Sequence, residues 1–355
     1  MKHYIIPIFI PHYGCTHACV FCNQQKITGK ATPTTAKEVT GIIDEHIARI
    51  TEKRHIEVAF YGGSFTALDM KIQSELLAPA YNALQHGKIN AIRLSTRPDC
   101  INDTIVKNLI AWGVSTIELG VQSLDNKVLY ASRRGHSAAD VVQAVAVIRK
   151  KGLQCGIQLM PGLPSEDWIS LINTVYGVIK LAPDFLRIYP TIVIANTKLA
   201  EMYCDGSYIA LDISAGVARA AFIKILFARH NILIIRTGLQ ATEDLGNSDV
   251  VLAGPYHPAF GEMVDSYLFY LMLSHFAESI EGQKKGFPSG SILIHHHTRD
   301  TSKLRGMSNS NIKKLQDIYN IKSLTLKSDG RNLDELIFEF QNINYVINKK
   351  MLLNV

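Results

Sequence analysis

Ile10-Pro-His-Tyr-Gly-Cys-Thr-His-Ala-Cys-Val-Phe-Cys-Asn23 follows directly on an Ile-rich apolar run and sets Cys15, Cys19 and Cys22 in a C-x3-C-x2-C spacing. Three thiolates converging on one point, with no fourth cysteine nearby, suit an iron–sulfur cluster that keeps one iron free of protein and open to a small molecule. A fourth cysteine would close such a cluster off. The same residue types also suit zinc, with His12 or His17 as the fourth ligand. Three ordinary reduced thiols are the plain alternative, although cysteines this closely spaced are seldom structural accidents.

Working outward, residues 4–10 alternate in the manner of a first strand, which puts the cysteines at its C-terminal end. Thr35-Ala-Lys-Glu38 is a capping box and opens a helix with Val39, Ile42, Ile43, His46, Ile47 and Ile50 at helical spacing. Further strands are expected over 56–61, 89–96, 115–121, 154–160 and 185–189. Helices are expected over about 69–86, 102–112, 137–152 and 166–181 in between. Six strands alternating with helices imply an α/β fold with a parallel sheet and right-handed crossovers. Six units fall short of a closed eight-fold barrel. The expected fold class is therefore a partial (β/α)6 TIM-like barrel, open on one side, with a small α+β C-terminal extension. Gly62-Gly63, Ser95 to Arg97, Gln122-Ser123, Met160-Pro161 and Tyr189-Pro190 all follow C-terminal strand ends, as the cysteines do. That is the face on which βα barrels carry their active sites.

The domains expected are the partial barrel over 1–195, an extension over 196–282 and a small basic α/β tail over 283–355. All of the net charge of +6 lies in that tail, with 12 Lys/Arg against 6 Asp/Glu from residue 283 onward. A polyanion-facing surface and a merely solvated basic face both fit this asymmetry. The composition, 47% hydrophobic and 19% charged, is that of an ordinary folded protein. The apolar run Ile5 to Ile10 is broken by Pro7 and closed by Pro11, so no membrane span is expected. Cys100, Cys155 and Cys204 are scattered and form no disulfide framework, which points to a reducing, cytoplasmic setting.

With Phe21 before the last cysteine, the motif resembles the radical S-adenosylmethionine (SAM) enzymes. The resemblance implies a [4Fe–4S] cluster on Cys15, Cys19 and Cys22, with SAM at the fourth iron and a reducing electron donor as partner. Phe60-Tyr-Gly-Gly-Ser-Phe65 is similar to the family's glycine motif for the methionine amino group, assigning Gly62, Gly63 and Ser64 to the cofactor. Glu118-Leu-Gly-Val-Gln-Ser-Leu-Asp125 with Arg133-Arg-Gly-His136 resembles the oxygen-independent coproporphyrinogen oxidases, which implies cofactor contacts from Gln122, Ser123 and Arg134. Where that relative has a Glu, this chain has Ser95, with Arg97 close by. Met160 is expected against the adenine, and Cys155 in the core. His136 is either a proton donor or a residue at a helix start.

Leu186-Arg-Ile-Tyr-Pro-Thr-Ile-Val-Ile194, Gly206-Ser-Tyr208 and Gly254-Pro-Tyr-His-Pro-Ala-Phe-Gly261 extend the resemblance to the Elongator catalytic subunit and its bacterial relatives over about residues 1–280. This implies a tRNA or other RNA base as substrate, with Arg187, Tyr189, Lys198 and His257 as candidate substrate residues and the basic tail on phosphates. The cysteines here are more compact than in that subunit. The 75 residues after position 280 are too few for its acetyltransferase domain, and they carry no Q-x-x-G-x-G/A loop. They offer instead His295-His-His297 in a loop or at a strand edge, a helix over 309–319 and strands over 322–327 and 335–347. Two other functions stay open: a radical SAM enzyme acting on a small molecule, as the coproporphyrinogen oxidases do, and a zinc-stabilised RNA-binding module without catalysis.

Overall fold

The structure is a computed structural model that describes residues 3–10, 17–23, 33–240, 244–247, 249–281, 291–330 and 332–352. Cys15 and His12 lie outside the described residues. Two compact units emerge. One comprises residues 1–212 with 232–236 and 240–256; the other comprises 213–231, 237–239 and 257–355.

In the first unit, strands β1 (His3–Ile10), β2 (His55–Gly62), β3 (Ala91–Thr96), β4 (Val114–Gln122), β5 (Gln154–Leu159) and β6 (Phe185–Ile188) alternate with helices. The helices are α1 (Ala36–Ala48), α2 (Met70–Gln85), α3 (Asp103–Ala111), α4 (Asn126–Ala131), α5 (Ala138–Lys150) and α6 (Trp168–Leu181). Each strand from β1 to β6 pairs in parallel with the next. Short polar side chains decide where the helices start, because each satisfies a backbone N–H left over in the first turn. Thr35 caps α1 through the expected capping box, and Ser137 and Asp167 cap α5 and α6 in the same way.

The sheet runs to seven strands in the order β1-β2-β3-β4-β5-β6-β8, after a two-residue β7 (Val193–Ile194). The added strand, β8 (Leu233–Thr237), is one more than the expected six and lies inside the stretch assigned to the extension. Leu233-Ile-Ile-Arg-Thr237 lacks clean alternation, and its residues are half-buried or exposed at the sheet edge, so period two gives no signal there. Strand β7 pairs with β9 (Val251–Ala253). Helix α7 (Lys198–Cys204) lies between the two in sequence.

The second unit holds α8 (Ile213–Arg229), α9 (Phe260–Glu281), α10 (Thr301–Arg305) and α11 (Ser310–Tyr319) with a sheet in the order β11-β10-β12-β13. Those strands are β10 (Ser291–His296), β11 (Ser323–Lys327), β12 (Glu335–Phe340) and β13 (Ile343–Asn348). Phe276 of α9 stacks on Phe338 with ring centroids 4.0 Å apart and meets Phe340 and Tyr345 edge-on.

Two expectations change here. The strand read over 335–347 is a hairpin. It turns at Gln341-Asn342, whose φ angles of 50° and 62° give the doubly left-handed geometry of a two-residue hairpin loop. Of the triple histidine, His295 and His296 lie in β10, an interior strand of the sheet, and only His297 falls in the loop that follows. His296 is buried and bonded to Thr301, His295 is held by Asp329, and His297 caps the next turn. Pleating sends consecutive side chains to opposite faces, so the three do not converge.

Several lysines of the second unit are held by its own carboxylates. Asp300, fully buried, accepts from Lys303 and from the Asp334 backbone, while Lys349 pairs with Asp334 and Lys224 with Asp265. Among the described residues, no helix is long and apolar enough to cross a membrane.

Candidate active site

Strand alternation puts Val58, Phe60, Ile92, Leu94, Ile117 and Leu119 on one face of the sheet, fully buried. The other face, the inner one of the partial barrel, carries a polar network. Glu118 stands at its centre. Its Oε2 accepts from Arg187 Nε at 2.6 Å, and its Oε1 accepts from Arg93 Nη1 at 3.1 Å, Arg187 Nη2 at 3.2 Å and the Tyr61 hydroxyl at 3.3 Å. Arg187 also donates to the hydroxyls of Tyr61 (3.0 Å) and Tyr189 (3.4 Å). Arg93 donates onward to Glu57 at 2.5 Å and lies over the Phe185 ring.

Burial opposes the charge on Arg187, but Glu118, Tyr189 and Tyr61 more than offset it and hold the guanidinium protonated. Burial, and then Glu118, push the Tyr61 phenol well above its ordinary value, so it stays a hydrogen-bond donor. Toward the C-terminal strand ends the network continues in Gln158, which donates to Gln122 Oε1 at 2.9 Å. Ser95, half-buried, lies beside Glu118 in register.

The rim at the C-terminal strand ends is where the cysteine segment docks. Val20 N–H donates to the Ser132 carbonyl at 3.2 Å, and Leu199 N–H to the Val20 carbonyl at 2.7 Å. Arg134 Nη1 lies 3.2 Å from Cys19 Sγ, and its Nη2 donates to the Gly120 carbonyl at 2.5 Å. Cys22 N–H closes a turn onto the Cys19 carbonyl, which sets the two cysteines on one turn. Phe21 packs against Met160, Val128 and Leu163. Gly62, with φ 108°, passes so near β1 that a Cβ there would sit 2.4 Å from the Ile10 carbonyl oxygen. Among the described residues, Arg134 Nε and His136 Nδ1 are buried without a hydrogen-bond partner, both near the end of β4.

Gly135 is the second backbone position that needs glycine. Its φ is 73°, and a Cβ would meet the His17 ring at 2.4 Å. Gly135→Ala should therefore push the 17–22 segment off its seat. We expect a several-fold lower iron content after limiting reconstitution, and faster proteolysis within 17–22, at nearly unchanged helical circular dichroism. Wild-type iron content in that variant would contradict this role for the contact.

His136 is buried, and its Nε2–H donates to the Val121 carbonyl. Burial, and then Arg134 and Arg97, push its pKa down to about 4, so it is neutral near pH 7 and not charged for proton donation. Its unfolded value near 6.5 lies above the folded one, so the unfolded chain binds more protons as pH falls. The contribution is fully present above about pH 6.5 and drains away toward about pH 4, up to about 3 kcal/mol in all. Urea melts of His136→Gln between those pH values should show a flatter slope than wild type. An identical slope would sink the assignment.

The other sequence-derived residues divide. Ser64 turns its hydroxyl onto Thr96 Oγ1 (2.9 Å) and accepts from Arg97 N–H (3.2 Å), leaving its backbone toward the glycine turn. Arg97 grips Asp99 with two hydrogen bonds and donates to the Arg134 carbonyl, which ties β3 to the arginine loop. Ser123 faces α6, bonded to Thr174. Arg187 and Tyr189 meet in the inner network, whereas Lys198 is exposed and paired with Glu201 on the first turn of α7. His257 accepts from Ala259 N–H ahead of α9 in the second unit. Of the two histidines considered for zinc, His17 is described, and it lies against Gly135. Glu57, Tyr61, Arg93, Glu118 and Gln158 were not singled out beforehand. Their signal is a charged, amide or phenol side chain within an otherwise apolar strand.

The chain matches the radical SAM superfamily over residues 9–175 and the radical SAM C-terminal domain over 183–269. A tRNA uridine(34) acetyltransferase of Methanocaldococcus jannaschii is 28% identical over 305 residues, 74% of this chain and 55% of that protein. Elongator complex protein 3 of Saccharomyces cerevisiae is 26% identical, over 61% of this chain and 46% of that one. The chain thus spans about half the length of these curated relatives. A solved structure of Elp3 from Methanocaldococcus infernus superposes with a TM-score of 0.60 at 20% identity, covering 81% of this chain and 70% of that one, which bears on the fold.

Proposed function

The chain belongs to the radical SAM superfamily of enzymes, and from that premise we propose that it cleaves SAM reductively and turns the resulting radical on a tRNA base. Uridine is the base in the name of the Methanocaldococcus jannaschii relative. What supports the reading is one arrangement: the cysteine segment held by Arg134, Ser132 and Gly135 at the strand ends above the Glu118–Arg187 network. A module that merely used zinc for stability would need no such network beneath its cysteines.

The donor set fits the cofactors. Cys19 and Cys22 sit together on one turn, the orphaned Arg134 Nε offers a donor, and Gly62 lets the strand end turn close against β1. Cys15, Cys19 and Cys22 would hold a [4Fe–4S] cluster, which when bound supplies the electron that splits SAM to a 5′-deoxyadenosyl radical. Gly62, Gly63 and the Ser64 backbone would hold the methionine end. Arg134 is the carboxylate partner by charge, and Gln122 offers hydrogen bonds to hydroxyls. Met160 and Phe21 present the apolar wall for the adenine.

A base reaches the inner face only when it is flipped out of its stack, at a cost of a few kcal/mol. The Tyr189 hydroxyl and Arg187 Nη1 present donors there to the edge of such a base, while the Tyr61 hydroxyl stays bound to Glu118. Lysines and arginines of the basic C-terminal region are the candidate phosphate contacts. Acetyl transfer, in the name of that relative, does not carry over to a chain matching about half its length.

The deciding experiment is anaerobic reconstitution followed by 5′-deoxyadenosine measurement with bulk tRNA, with a small-molecule pool and with neither. Stimulation by tRNA, lost on ribonuclease treatment and weakened by salt, is the expected result. Stimulation by the small-molecule pool alone would overturn the RNA substrate and leave the radical chemistry standing.

A further inference from the structure

At the N-terminal end of the sheet, away from the cysteines, lies a second group of ligand-type side chains. His3 of β1 and His55 of β2 are register partners, and Glu57, two residues on, points to the same face as His55. The donor atoms of all three lie within 4.8 Å of one another, the only such group among the described residues. Glu57 Oε1 is 3.1 Å from His55 Nε2 and 3.5 Å from His3 Nδ1, with the two imidazole rings tilted at 47°. We infer that His3, His55 and Glu57 form a binding site for a divalent transition-metal ion of the zinc class.

The distances carry the argument. An ion with bonds of about 2.0–2.2 Å in tetrahedral arrangement has ligand-to-ligand edges of roughly 3.3–3.6 Å. The two measured separations lie at or close to those edges, so an ion enters with little rearrangement. The carboxylate is already oriented, because Arg93 Nε binds Oε2 at 2.5 Å and leaves Oε1 to the histidines. Carboxylates and imidazoles held by an outer partner in this way are the usual supports of metal sites. Glu57 is buried while the His3 side chain is 66% exposed, so one ligand opens onto solvent and gives the ion a route in. The fourth position falls to water. Two imidazole nitrogens favour zinc over calcium or magnesium, which take oxygen ligands. Arg93 also cancels part of the carboxylate charge, and Arg54, over the Tyr4 ring at the same end, adds positive charge, so affinity rests on the imidazoles.

The site is separate from the cysteines. Strand β1 spans His3 to Ile10, about 23 Å at 3.3 Å per residue, and the cysteine segment follows its far end. An ion here would pin the first strand to the second and has no place in the radical chemistry.

The test uses full-length protein with the cluster reconstituted, incubated with zinc and desalted, and metal analysis for both iron and zinc. Wild type should retain one zinc per chain, and His3→Ala and His55→Gln should retain almost none at unchanged iron. In a second arm, protein with all three cluster cysteines changed to Ala is titrated with cobalt. It should show visible d–d bands without sulfur-to-cobalt charge transfer, abolished by adding His55→Gln. Loss of iron with zinc retained would fault the cluster assignment alone. Absence of stoichiometric zinc in wild type, or its retention in both histidine variants, would overturn the site.

Discussion

Cys19→Ala or Cys22→Ala should take iron in the reconstituted protein from about four per chain to near zero, together with all 5′-deoxyadenosine formation. Cys15→Ala should do the same. The fold should survive, because Cys19 sits at the rim and truncating a small thiol costs on the order of 1 kcal/mol. Cys155 is the internal control. It lies on β5, fully buried, where burial pushes its thiol up to about 12 and keeps it protonated and unreactive. Cys155→Ala should keep its iron and its cofactor cleavage. A cysteine change therefore separates ligation from packing: rim positions lose chemistry and keep stability, and the core position does the reverse. Full iron content and cofactor cleavage in Cys22→Ala would remove the cluster from this segment, and the proposed function with it.

How far the sequence reaches depends on the kind of signal. The strands and helices of the first unit were readable because apolar runs of parallel strands alternate with capped amphipathic helices, and each signal is local. Thr35, Ser137 and Asp167 mark helix starts by their own hydrogen bonds. The seventh strand was not readable, since Leu233-Ile-Ile-Arg-Thr237 owes its place to pairing at an edge. The 335–347 run read as one strand because Gln341-Asn342 adopts left-handed φ without a glycine to announce it. Motifs on strand ends were legible as residue types but not as partners. Nothing in Ser123 announces that its hydroxyl turns to Thr174, nor in Lys198 that it pairs with Glu201 on a solvent face. The inner network was missed for a related reason. Glu118, Arg93 and Arg187 lie 25 to 94 residues apart, and only the sheet order brings them together.

That network sets the second large effect. In Glu118→Ala, Arg187 loses both carboxylate contacts and keeps only the Tyr61 and Tyr189 hydroxyls, while Arg93 retains Glu57. Glu118 is 5% exposed, so water does not readily replace it. Breaking a buried pair by removing one partner costs about 3–5 kcal/mol, because the remaining charge stays desolvated. The urea midpoint of the first unit should fall accordingly, with the denaturant slope unchanged. Adding Arg187→Met removes the stranded cation and should recover much of the loss, since apolar replacement of both partners of a buried pair is often close to neutral. The same double variant also decides what the network is for. If Glu118 and Arg187 serve only packing, restored stability should bring back substrate-stimulated 5′-deoxyadenosine formation. If they hold the substrate, the double variant should fold, keep its iron, cleave SAM at its basal rate and gain nothing from substrate. A single variant as stable as wild type would mean that Arg187 finds its compensation elsewhere, and the inner face would then be a solvated surface with no demand for its own counter-charge.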